Sequence, residues 1–206
     1  MSHMLKTAVF AHLILLTACH VDSPSHLSPQ APEARYEAWL AAGHRPQAQA
    51  YADDLLKQGV ADVVPMATLS RTSRRWRLCR HDEFATPPPA LQRNMPPTLR
   101  VVAQLRDAGI LDPALARSVY RDEAVNRCAG GSARSKHGEN LAIDFDLASN
   151  PENVARLCTL WREHGPALDL GLGFYTPTAI HLDTAGFRTW GSDHRRGTSL
   201  CVRKKQ

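Results

Sequence analysis

The chain has 206 residues, 43% of them apolar, and a formal net charge of +5. That is enough for one ordinary domain with a real core, plus a tail. The charge is too modest and too scattered for a dedicated nucleic-acid binder, which needs a denser basic stripe with interleaved aromatics. The two basic runs, "RTSRRWRLCR" at 71–80 and "VRKKQ" at the end, read as solvated faces.

The N-terminal residues read as an export signal. After Lys6 comes "TAVFAHLILLTAC", shorter than the roughly 20 apolar residues of a bilayer span but suited to the apolar region of a secretory signal. Its ending, Leu16-Thr17-Ala18-Cys19, resembles a bacterial lipobox. The resemblance implies removal of residues 1–18, lipidation of Cys19, and an exported lipoprotein anchored in the membrane and facing the periplasm or cell wall. Residues 19–34 are rich in Pro, Ser and Ala and read as a flexible tether. The four other cysteines, Cys79, Cys128, Cys158 and Cys201, predict two disulfides in an oxidising compartment, with three connectivities open. No CxxC spacing points to a cysteine zinc site.

Residues 35–59 are predicted to form a helical arm. Tyr36, Trp39 and Leu40, then Tyr51, Leu55 and Leu56, fall at helical spacing around a break at 43–46. Residues 60–206 then read as one mixed domain. A Pro-rich loop, 84–97, leads into a helix with Pro97 in its first turn, Leu99, Val102 and Leu105 on one face, and Gly109 at its end. "ALARSVYRD" at 114–122 reads as a strand and 126–135 as turn material. "NLAIDFDL" is a second strand. Asn150-Pro151 opens a helix with Val154, Leu157, Cys158 and Trp161 on its buried face, and "LGLGFY" and "AIHLDT" are short strands around a Thr-Pro-Thr turn. This order predicts an α+β fold: a small antiparallel sheet with flanking helices.

The strands carry costly residues. Asp144 stands between Ile143 and Phe145, and His181 between Ile180 and Leu182. Either is expensive to bury unless paired or bound to a metal. His137 precedes the first of these strands, and Asp183 shares a strand face with His181. Catalytic zinc needs three protein ligands and an open fourth position. These segments supply three N/O ligands and a spare carboxylate.

The phrase Ser135-x-His137-x6-Asp144, followed by His181-x-Asp183, resembles the zinc D-Ala-D-Ala carboxypeptidase family. Its wider relatives include vancomycin-resistance dipeptidases, phage endolysin peptidases and, by fold, the hedgehog signalling domain. The likeness runs through "SVYRDEAVNRCAGGSARSKH" and "GLGFYTPTAIHLDTAGFRTWG", about residues 60–203 in all. It implies a single zinc ion on the sheet, held by His137, Asp144 and His181. It also implies that Arg121 holds a substrate carboxylate, that Ser135 supports the metal loop beside the substrate, and that Arg188 and Trp190 pack near the site. The family's usual general base, an acid three residues before the last histidine, is here Thr178. Asp183 then stands as the catalytic base, or else as a partner that orients His181.

The expected function is zinc-dependent hydrolysis of D-amino-acid-containing peptidoglycan stem peptides, as a carboxypeptidase or an endopeptidase. The alternative is an inactive, zinc-containing, peptidoglycan-binding lipoprotein. A monomer is expected, with no nucleic-acid partner.

Overall fold

The computed structural model describes residues 32–148 and 150–202, so the expected signal 1–18, Cys19 and the tether up to residue 31 lie outside the described residues. Helices α1 (Pro32–Trp39) and α2 (Arg45–Lys57) are joined through a wide turn at the predicted break. Gly43 takes φ +111° there, a conformation that a Cβ would strain. Tyr36, Leu40 and Ala48 pack on Phe84. Tyr51 and Leu55 enter the main core, so the arm belongs to the same folded unit as the residues that follow.

Two single-turn helices, α3 (Met66–Leu69) and α4 (Pro89–Gln92), lead to α5 (Met95–Asp107). This helix starts two residues before the predicted Pro97. Pro96 and Pro97 occupy its first turn, where a missing N–H costs nothing, and Gly109 at φ +64° ends it. The predicted strand at 114–122 shrinks to β1 (Ala116–Ser118). Pro113–Leu115 is a tight turn capped by the Asp112 side chain. The Asp122 carboxylate accepts from Val125 N at 2.8 Å and starts helix α6 (Glu123–Cys128) inside the stretch predicted as turn. After β2 (Ala142–Asp146), the Asn150 side chain caps α7 (Pro151–His164), followed by β3 (Gly171–Phe174), β4 (Ala179–Asp183) and β5 (Arg188–Trp190).

The five strands form one sheet in the order β1-β2-β4-β3-β5. The first four pair antiparallel as expected; β5 corrects the antiparallel reading by joining β3 in parallel, because the chain after β4 passes β3 and lies along its far edge. Period-2 alternation divides the sheet's two faces. One presents Ile143, Phe145, Leu172, Phe174, Ile180 and Leu182, all buried in a single cluster with Leu99, Val102 and Leu105 of α5 and Leu157 and Trp161 of α7. Each such side chain contributes about 1.5–3 kcal/mol by leaving water. The other face carries the chemistry. Two disulfides close the structure, Cys79–Cys128 and Cys158–Cys201. The first ties the segment after Thr72 to α6, and the second ties α7 to the C-terminal segment.

Candidate metal centre

Register places the polar face. Asp144 of β2 lies opposite His181 of β4, and Gly173 of β3 lies on the other side of His181. His137 comes from the loop between α6 and β2. That loop is held by backbone bonds from Arg121 N to His137 O and from Leu141 N to Lys136 O. Fully buried Asn140 anchors it, reaching Tyr51 Oη and Leu91 O. The turn at Ser135 is made by its backbone, which accepts from Gly138 N at 3.2 Å.

His137 Nε2, Asp144 Oδ1 and His181 Nδ1 form a triangle with sides of 3.1, 3.0 and 3.2 Å. All three residues are at least 95% buried. Their partners fix the tautomers. His137 Nδ1 lies 2.6 Å from Val119 O, a carbonyl that can only accept, so Nδ1 carries the proton. His181 Nε2 lies 2.8 Å from Asp183 Oδ2 and donates to it. In both neutral rings the nitrogen facing the triangle is therefore a bare lone pair, and Asp144 Oδ1 adds a third. Three electron pairs converging at this distance repel unless a cation lies between them. A tetrahedral ion with ligands at about 2.0–2.1 Å sets ligand atoms about 3.3 Å apart, so opening the triangle takes an outward shift of only about 0.1–0.2 Å per atom. The donor set and its geometry fit zinc.

The electrostatics agree. Burial pushes the His137 imidazole down, favouring its neutral, ligating form, against the pull of Asp144. Burial opposes ionisation of Asp144, yet His137 and His181 hold its carboxyl well below the usual range. The His181 imidazole is raised: burial lowers it, but hydrogen bonds to Asp144 and Asp183 outweigh that. A metal ion placed in the triangle takes over what a proton on His181 Nδ1 otherwise does.

Behind His181, Asp183 is fully buried and saturated. Besides His181 it accepts from Ala185 N at 2.9 Å and from both ends of the Arg188 guanidinium at 2.9 and 2.6 Å. His181 uses Nδ1 toward the triangle and Nε2 toward Asp183, so the imidazole stands between Asp183 and the metal position. This is the arrangement of an orienting carboxylate rather than of a base. β3 makes room for it. A Cβ at Gly171 would lie 2.6 Å from both Asp183 and Arg188, and one at Gly173 would lie 2.3 Å from the Trp190 indole, which packs on His181.

Arg121 lines the cleft and also supports the triangle. It is 8% exposed; its Nε donates to Ser118 Oγ at 2.7 Å, and its Nη2 donates to Asp144 Oδ2. It thereby turns Oδ1 of Asp144 toward the imidazoles. A group the sequence reading passed over stands on the triangle's open side: Tyr175 Oη donates to Asp144 Oδ1 at 3.2 Å and lies 3.4 Å from His181 Nδ1. Its hydroxyl is pushed up, by burial first and by the Asp144 charge second, so it keeps its proton. Alternation along β3 (Gly171, Gly173, then Tyr175) was the available signal.

The triangle opens on a cleft of about 680 Å³. Arg74, Arg75, Arg134, Lys136 and Arg196 line its walls with Ser135 and His194, and Asp144 is the single carboxylate among the lining residues described. Thr178 is exposed and outside this lining. The model of the Peptidase M15 family matches residues 67–183, more than half of the chain and all three corners of the triangle. Comparison with curated proteins and with solved structures finds no match. Peptidases of the matching family are zinc-dependent, in keeping with the resemblance drawn from the sequence and with the donor set found here. The chain belongs to the peptidase M15 family.

Proposed function

We propose that the protein is a zinc-dependent peptidase that hydrolyses D-amino-acid-containing peptidoglycan stem peptides, as a carboxypeptidase or an endopeptidase. We further propose that it acts outside the cytoplasm, anchored through a lipidated Cys19. The observation that carries the reading is the triangle of three convergent lone pairs open to a cation-walled cleft. Zinc bound there supplies Lewis acidity, lowering the pKa of a water and polarising a carbonyl.

The chain's own groups do the rest. Asp183, itself clamped by Arg188, holds His181 in the tautomer that faces the cleft. Arg121 orients Asp144. Tyr175 presents an O–H donor beside the triangle, placed to hydrogen-bond an oxygen that gains charge. Arg121 gives two of its five donors to Ser118 and Asp144 and lines the cleft with the rest, beside the planar forks of Arg74, Arg75, Arg134 and Arg196 that also suit a peptide carboxylate. With Asp183 behind His181 and Thr178 outside the cleft, the imidazole that shares the wall, His194, is the side chain to test as proton acceptor.

One observation keeps a second reading in play: among the described residues the cleft lining has no carboxylate besides Asp144, as an inactive, zinc-containing peptidoglycan binder would. A release assay on D-Ala-ended peptides with the zinc-loaded chain separates the two. Turnover that disappears with chelator and returns with zinc supports the enzyme. Full zinc with peptide binding and no turnover at any pH supports the binder.

A further inference from the structure

The metal cleft has a neighbour. Arg35, Arg71, Arg74 and Arg117 surround a second pocket of about 160 Å³, which shares Ser73 and Arg74 with the wall of the first. Four guanidinium groups meet two carboxylates there. Arg35 is paired with Glu83 through two bonds of 2.6 and 2.8 Å. Asp146 is divided between Arg74 and Arg117, one oxygen to each at 3.0 Å. Arg71 reaches the Ala116 carbonyl at 3.4 Å, and its buried Nε has no hydrogen-bond partner among the described residues. Arg74 and Arg117 thus share one carboxylate, and Arg71 is bonded to none among the described residues. Guanidinium forks in this number suit a planar or tetrahedral oxyanion.

Position links this pocket to the chemistry. Asp146 follows Asp144 by two residues on the same face of β2, about 6–7 Å along the strand. A molecule whose reacting bond lies at the triangle can therefore place a second group here. We propose that the arginine pocket is a subsite for an anionic group, a carboxylate or a phosphate, carried by the molecule that occupies the metal cleft. The link to a substrate rests on the peptidase reading; the binding of an oxyanion does not.

Inorganic sulfate, a dianion of the right size, is the first probe. Titrated into the full chain, it is expected to shift the arginine Nε–H resonances of Arg35, Arg71 and Arg117, with the affinity read at Arg35 reduced at least about tenfold in Arg71→Gln/Arg117→Gln. Arg117→Gln alone, at a side chain 42% exposed, serves as the variant that keeps the fold. The second arm compares two D-Ala-ended peptides that differ in one side-chain carboxylate or its carboxamide. The acid peptide is expected to show a KM at least about tenfold lower, raised by sulfate and by the double substitution, with the amide unaffected by either. Arginine resonances unmoved by sulfate throughout a millimolar titration, or an Arg35 resonance moved equally in the double variant, overturn the pocket. Sulfate binding with equal KM for the two peptides overturns the substrate subsite and leaves a site for a free anion. Failure of both peptides to react counts against the peptidase reading alone, because the sulfate arm needs no turnover.

Discussion

Replacing Asp183 by Asn separates an orienting carboxylate from a catalytic base. The wild-type carboxylate is fully buried and accepts four hydrogen bonds, from His181, Ala185 and twice from Arg188. Asparagine keeps one acceptor oxygen but turns an NH₂ group toward either His181 Nε2–H or the guanidinium, donor against donor. Losing one charge-assisted bond at a buried site costs about 1.5–3 kcal/mol. The Arg188 side chain is 37% exposed and recovers water, which favours the lower half of that range. The expected stability loss is about 2 kcal/mol, a melting shift of about 4–8 °C for a chain of this size. Because the His181 ring is no longer held, zinc affinity is expected to fall about 10- to 100-fold. The assay is an equilibrium zinc titration of each protein, followed by hydrolysis at saturating zinc, where the variant should come within about tenfold of wild type. Wild-type zinc affinity combined with a loss of about a thousandfold in turnover, the size expected for a missing general base, would refute this placement of Asp183.

Tyr175→Phe removes the hydroxyl on the open side of the triangle while keeping the ring; kcat should fall about a hundredfold with zinc stoichiometry unchanged, as measured by metal analysis beside steady-state kinetics. Acid stability follows from Asp144 and Asp183, both held below the ordinary carboxylate range against burial, by His137 and His181 at Asp144 and by His181 and Arg188 at Asp183. Their stabilisation is fully present above the unfolded value of about 3.9 and is lost as pH falls through the lower folded values. Denaturant titrations of the zinc-free chain should show a steep loss confined below about pH 4, while His137, shifted down, and His181, shifted up, oppose one another near neutrality. Opening Cys158–Cys201, whose cysteines are 43 residues apart, should cost about 4 kcal/mol in a chain-entropy estimate and leave KM unchanged, as read by melting and kinetics of Cys158→Ala/Cys201→Ala. Opening Cys79–Cys128 with alanines should raise KM as well, because that bridge holds the segment that brings Arg74 and Arg75 to the cleft wall.

Much of the site can be read from the sequence because its residues break local rules. Asp144 and His181 are polar residues inside apolar strands, and each demands a partner. The resemblance to a zinc peptidase family named the third corner, His137, which alone looks like a loop residue. What escaped reading depends on contacts between distant segments. That Arg121 holds Asp144 follows from the β1–β2 register, which sets Ser118 beside Asp144. Asp183 reads equally well as base or as orienting group until the imidazole is seen to lie between it and the cleft. The parallel pairing of β5 requires knowing that the chain passes β3, and no local pattern states that. Two features were legible and missed. Asp122 before Glu123 is a helix-cap signal hidden by the Gly-rich turn behind it. The alternation Gly171, Gly173, Tyr175 puts two gaps and a phenol on the face of His181.

The central claim is that His137, Asp144 and His181 hold one zinc ion. X-ray absorption at the zinc edge, on protein carrying a measured amount of metal, tests it most directly. One equivalent per chain is expected, with a shell of nitrogen and oxygen at about 2.0–2.1 Å and an imidazole pattern from two histidines, reduced to one and released by mild chelation in His137→Ala. Sulfur in the shell, or an unchanged spectrum and affinity in His137→Ala, would contradict it.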